Sequence, residues 1–116
     1  MHHGLSANAK ETLQRIDSVV SIMKVMHSSG LDSVTDFNVC LRMVDATDNT
    51  DFTKTWIDTA CGKGSILLAK IKRLIENGCD VKTAVKNIYG IDNNYSQVEH
   101  AKINIYRVTG FMPNIV

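Results

Sequence analysis

Two carboxylates and a glycine-rich turn are the residues of this 116-residue chain whose types and spacing could do chemistry. Asp58-Thr59-Ala60-Cys61-Gly62-Lys63-Gly64 follows a short strand candidate, Thr55-Trp56-Ile57-Asp58, and precedes a long amphipathic stretch. It therefore joins a strand to a helix. Gly62 and Gly64 lack a Cβ, so the backbone there can turn sharply and approach a ligand closely. The helix that starts near Ser65 points its unpaired amides at the same place. Asp92 closes a second strand candidate, Ile88-Tyr89-Gly90-Ile91-Asp92. Ligands of doubly wound sheets bind beyond the carboxyl ends of the strands, so Asp58 and Asp92 are expected to face one crevice. A carboxylate there can accept hydrogen bonds from the 2′- and 3′-hydroxyls of a ribose.

The details of the turn weaken the case for one common nucleotide site and exclude another. It lacks the G-x-G-x-x-G order of the dinucleotide fingerprint, and Asp92 follows Asp58 by 34 positions rather than the usual run of about 20 residues. It also lacks G-x-x-x-x-G-K-[ST], and Lys63 does not occupy the phosphate-binding lysine position.

The elements that must position these residues follow from periodicity. Ser6 to His27 reads as a helix, with Leu13, Ile16, Val20 and Met23 on one stripe that Val19 and Met26 widen. Ser28-Ser29-Gly30 stops it. Ser33-Val34-Thr35-Asp36 has the form of a capping box, and Val34, Phe37, Leu41 and Val44 follow at helical spacing. Ala46 to Thr53 is a polar loop. Ser65 to Asn77 is a helix with a broad apolar face, ended by Gly78. Asp80 to Lys86 is a short helix that accounts for the long interval between the two acids. Tyr95 to Val108 is a further helix closed by Gly110, and Asn114-Ile115-Val116 begins a third strand. The order strand, glycine turn, helix, strand, helix predicts an α/β fold with parallel strands joined by right-handed crossovers. Parallel sheets need cover on both faces. The N-terminal helices are expected to supply one face, and the rest of the sheet is missing from this sequence. Two segments result: an N-terminal helical segment, 1–53, and a strand-containing segment, 54–116.

Composition narrows the class of function. Thirteen Lys+Arg against twelve Asp+Glu exclude a basic nucleic-acid arm, an acidic tail and a charge-driven disordered chain. The balance is uneven, with four basic and seven acidic residues over 1–53 and nine and five over 54–116. An anionic ligand is expected to meet the second segment. No apolar run approaches the roughly 20 residues that span a bilayer. No signal-peptide pattern opens the chain. Cys40, Cys61 and Cys79 form no C-x-x-C pair and fit reduced thiols in a cytoplasm.

Asp58-Thr59-Ala60-Cys61-Gly62-Lys63-Gly64-Ser65-Ile66-Leu67-Leu68 resembles the first motif of class I S-adenosylmethionine-dependent methyltransferases. It is most similar to the N6-adenine DNA methyltransferases of restriction-modification systems, whose turn runs D-P-A-C-G-x-G-x-[FL]-L. Gly90-Ile91-Asp92, followed by Ala101 and Asn104, resembles their second motif, GID and then a helix carrying A-x-x-N. The likeness covers residues 55–110. It implies a partial Rossmann-like methyltransferase fold, N-terminal helices followed by β-α-β-α of a parallel sheet. It also implies that Asp58, Ala60, Cys61, Gly62 and Gly64 surround the methionine moiety of S-adenosylmethionine, that Asp92 binds the ribose, and that Asn93 lies beside the adenine. Thr59 stands where the family more often has proline. The family's catalytic motif, [DNS]-P-P-[YFW], occurs nowhere here, since Pro113 is the only proline. No catalytic residue and no metal site is therefore assigned to this chain.

The resemblance implies the cofactor-binding portion of an adenine-specific DNA methyltransferase, bacterial or of a phage in a bacterial host. DNA would be the partner of the intact enzyme, and a missing C-terminal half or a second chain would complete it. A catalytically inactive, methyltransferase-like interaction or decoy protein is the alternative. RNA and protein-glutamine methyltransferases, which share the turn, are a third. An incomplete sheet predicts self-association through its exposed edge.

Several residues carry a plainer reading beside a functional one. Cys61 is a small turn filler rather than a nucleophile, because neither His27 nor His100 is placed to activate it. Both histidines read as surface or core-edge residues, and Met23, Met26 and Met43 as core filling. Lys70, Lys72 and Arg73 form a solvated basic face or, alternatively, a DNA-phosphate contact. Trp56 belongs to the core, or covers the crevice with its indole.

Overall fold

The computed structural model describes residues 4–28, 36–59 and 61–116, with the backbone alone over 23–28. The described residues form five helices and a three-stranded parallel sheet: α1 (Ala7–Ser28), α2 (Phe37–Asp45), β1 (Trp56–Asp58), α3 (Ser65–Glu76), α4 (Val81–Lys86), β2 (Ile88–Gly90), α5 (Tyr95–Thr109) and β3 (Asn114–Ile115). The protein is thus mixed α/β, and the expected elements fall within a few residues of their expected bounds. Most of the capping box lies outside the described residues. Its last member, Asp36, caps α2 by accepting a hydrogen bond from the Asn38 amide at 2.8 Å.

The strands lie in chain order, β1-β2-β3. Trp56, Ile57 and Asp58 pair with Ile88, Tyr89 and Gly90, and Tyr89 and Gly90 with Asn114 and Ile115. Successive side chains alternate between the faces. Trp56, Ile88, Gly90 and Ile115 are buried or half-buried on one of them. α3 and α4 pack on β2, and α5 on β3.

α3 is the hub of this layer. Leu67, Leu68, Ile71 and Ile75 are fully buried on one face, and the buried Ser65, Ala69, Lys70 and Leu74 extend the enclosed surface to nearly all sides of the helix. α2 packs on α3, and α1 packs on α3, α4 and α5. The N-terminal helices therefore stack on the helices that cover the sheet. The opposite face carries the row Ile57–Tyr89–Asn114, whose members are Cα partners across the strands and are all exposed. Ile57 is 55% and Tyr89 41% exposed.

The basic run on α3 has a different use from either one expected. Lys70 is buried, and its ammonium donates to Thr47 Oγ1, the Asp48 carbonyl and Asn49 Oδ1 at 2.8–2.9 Å. Lys72 pairs with Asp17 and Glu76, and Arg73 with Asp45 and Glu76. The acidic excess of 1–53 is thus partly matched by the basic excess of 54–116 within the molecule. Met43 is 53% exposed, against the expected core position, because it lies off the Phe37–Cys40–Val44 face of α2. The side chains of Met23, Met26 and His27 lie outside the described residues. His100 is exposed on α5, as expected. Among the described residues, no helix is long and apolar enough to cross a membrane.

Candidate functional site

The glycine turn begins where β1 leaves the sheet. The Cys61 carbonyl accepts from the Gly64 amide at 2.9 Å, closing a four-residue turn over Gly62 and Lys63. Gly62 has φ +53° in its second position, the sign pattern of a type II′ turn. Gly64 has φ +91° and is the N-cap of α3. A side chain at either position would be strained. No side chain caps α3, so its first amides look toward the turn without a carboxylate or hydroxyl of their own.

The end of β2 is stitched to its neighbours on both sides. The Ile91 amide donates to the Asp58 carbonyl at 2.9 Å, and the Ile91 carbonyl accepts from the Cys61 amide at 3.0 Å. The Asp92 amide donates to the Val116 carbonyl at 3.1 Å. The backbone of Asp92 is therefore held although regular strand structure ends at Gly90. Its side chain bridges two segments: Oδ2 accepts from the Gly62 amide at 3.0 Å and Oδ1 from the Asn94 amide at 2.9 Å. One carboxylate thus joins the glycine turn to the start of α5. Each oxygen retains acceptor capacity, because a carboxylate oxygen has two lone pairs.

Of the residues expected at the site, Asp58, Cys61, Gly62, Gly64, Asp92 and Asn93 come together at the carboxyl end of β1 and β2. Ala60 lies outside the described residues. Asp58 is half-buried and Asn93 exposed. Burial, with the nearby carboxylates of Asp58 and Asp92, pushes the Cys61 thiol up to about 11. A thiol held protonated in this way is a poor nucleophile. Both carboxylates therefore lie near Cys61.

Close packing fixes the walls. A Cβ on Gly90 would lie 2.9 Å from Leu67 Cδ1 and 3.1 Å from Cys61 Sγ, so only glycine lets α3 and the turn settle on β2. A Cβ on Gly64 would lie 3.2 Å from Ala101 Cβ. Asn104, one helical turn further along α5, donates from Nδ2 to the Lys63 carbonyl at 3.2 Å. Ser65 Oγ and Gln97 Oε1, beside the turn in sequence and on the same stripe of α5 respectively, are buried with no hydrogen-bond partner among the described residues.

Reasoning from sequence missed the second polar centre, at the opposite end of the sheet. Thr47, Asp48, Lys54, Trp56, Lys70 and Asn87 line a cleft of about 180 Å³ there. The Lys70 ammonium stands 5.5 Å from the Trp56 ring centroid. Trp56 thus belongs to the start of β1 and does not cover the crevice. The signal for Lys70 was present in its position on the apolar stripe of α3, between Leu67 and Leu74. Among the described residues, no group of three or more His, Cys, Asp or Glu side chains could hold a metal ion. No family model, curated protein or solved structure matches this chain.

Proposed function

We propose that this chain is the S-adenosylmethionine-binding portion of an adenine-specific DNA methyltransferase, and that its sheet is part of a Rossmann-like fold. The observation that carries the reading is the junction of Asp92 with the glycine turn at the carboxyl end of adjacent parallel strands. A carboxylate there receives a ribose diol, while the turn leaves room for a ligand's tail beside α3. The turn lacks the fingerprints of dinucleotide and nucleoside-triphosphate sites.

Methyl transfer to the N6 amine of a flipped adenine needs a group that grips that amine. No [DNS]-P-P-[YFW] segment is present to do so. The exposed Ile57–Tyr89–Asn114 row supports a partner on that face, since parallel sheets are covered on both. A C-terminal half or a second chain fills this role in the active form, and the outer edges of β1 and β3, which pair with no further strand among the described residues, support self-association in its absence.

Equilibrium binding tests the proposal, with S-adenosylmethionine and S-adenosylhomocysteine as ligands and NAD and ATP as comparators. Saturable binding of the first pair alone is expected. Equal binding of ATP would overturn the reading, and binding of none would leave the interaction-protein reading in its place.

A further inference from the structure

We infer that Asn104 is a positioning residue that holds the glycine turn in its ligand-receiving form, an inference that rests on the cofactor reading above. Gln97, Ala101 and Asn104 lie on one face of α5, at four- and three-residue spacing. That face meets the turn. Ala101 sits against Gly64 so closely that a Cβ added there would come within 3.2 Å of its own. Asn104 reaches the next peptide, its Nδ2 donating to the Lys63 carbonyl across 41 residues of sequence.

The peptide in question is the unit between Lys63 and Gly64. It is planar, so its C=O and N–H point in opposite directions and turn together. Asn104 holds the carbonyl end, and the Cys61 carbonyl holds the N–H end at 2.9 Å. Rotation of this unit breaks both hydrogen bonds. The flanking glycine makes such a rotation inexpensive in steric terms, because Gly64 tolerates either sign of φ. Without the Asn104 donor, the carbonyl end of the unit loses its hydrogen bond to α5, while the Gly64 amide keeps its bond within the turn. Rotation would also displace Gly62, whose amide meets Asp92, and Ser65, the first residue of α3. Asn104 therefore acts on the ligand through Lys63 and touches no ligand itself.

The test measures amide hydrogen exchange and S-adenosylmethionine binding for the full chain and for Asn104→Ala and Asn104→Asp. The aspartate keeps the shape and removes the donor, so it serves if the alanine variant folds poorly. Loss of one hydrogen bond is expected to speed exchange of the Gly64 amide by about tenfold and to weaken binding by a similar factor. Exchange at Ala84, in α4, should not change, whereas a general loss of stability would move both. Unchanged exchange at Gly64 in either folded variant overturns the inference. Faster exchange with unaltered affinity overturns it too, since the turn would then be held without consequence for the ligand. If the unsubstituted chain binds no S-adenosylmethionine, the cofactor reading itself has failed, and with it the role in ligand binding. The exchange data then still decide whether Asn104 holds the turn.

Discussion

The Asp92 carboxylate accepts a hydrogen bond from the Gly62 amide at 3.0 Å, between residues 30 positions apart. This contact joins the two stretches of sequence on which the proposed cofactor site draws, and it needs the parallel pairing of β1 with β2 to form. A ligand's diol would therefore meet an acid that is already oriented. Ligand binding gains from such preorganisation, since less freedom is lost on association.

Gly64→Ala is expected to destabilise the fold by about 2 kcal/mol, from a left-handed φ combined with contact against Ala101. Gly90→Ala is expected to lose a similar amount, about 1–3 kcal/mol, by overpacking against Leu67 and Cys61. Gly110→Ala is the control: its φ is +80° but nothing lies within 4 Å, so only the backbone strain, about 1 kcal/mol, is lost. Urea unfolding of the three variants gives the order. Equal losses would show that the close approaches at Gly64 and Gly90 are relieved by adjustment.

Lys70→Ala is expected to lose about 3 kcal/mol, because Asn49 Oδ1, the Asp48 carbonyl and Thr47 Oγ1 lose their common partner and a space opens beside Trp56. The emission of Trp56, the single tryptophan, should shift on substitution. A loss below about 0.5 kcal/mol would place Lys70 among ordinary surface lysines.

Cys61 and Cys79 both have thiols pushed up to about 11, chiefly by burial, and Cys40 is raised as well. Alkylation by iodoacetamide in the folded protein should be slow at pH 8 and should accelerate in denaturant, where a thiol returns to about 8.5. Rapid modification of Cys61 at neutral pH would revive the nucleophile reading. Peptide mass mapping distinguishes the three sites.

Asp80 caps α4 by accepting from the Thr83 amide at 3.1 Å, and this bonding with Thr83 holds its carboxyl below the usual range. A carboxyl lowered in the folded state adds stability above its unfolded value, about 3.9, and loses it as pH falls through the lower folded value. Asp80→Ala should therefore lose about 1 kcal/mol at pH 7 and progressively less in acid. A deficit that stays constant from pH 7 to pH 2 would contradict the charge-assisted cap.

Element order was legible in the sequence because glycine and Asx punctuation coincides with each change of hydrophobic period. Gly78, Asp80 and Gly110 all stand at helix ends in the structure. The candidate site was legible because its parts lie at strand ends, where spacing and residue type suffice. Periodicity says nothing of what a long side chain reaches. Lys70 falls on the apolar stripe, but only the folded path of 47–49 supplies the acceptors that let it be buried. The second layer of helices was equally hidden, since α1 shows an apolar stripe whether it meets a sheet or other helices. Nor does the A-x-x-N spacing disclose that its alanine admits Gly64 and its asparagine holds Lys63.

The most direct test of the central claim is titration calorimetry of S-adenosylmethionine into this chain and into Asp92→Ala. The account predicts saturable binding to the chain and a loss of at least about tenfold in affinity on substitution, because the ribose acceptor and the Gly62 clasp go together. Binding that Asp92→Ala leaves intact, or no binding to the unsubstituted chain, would contradict the assignment of this crevice as the cofactor site.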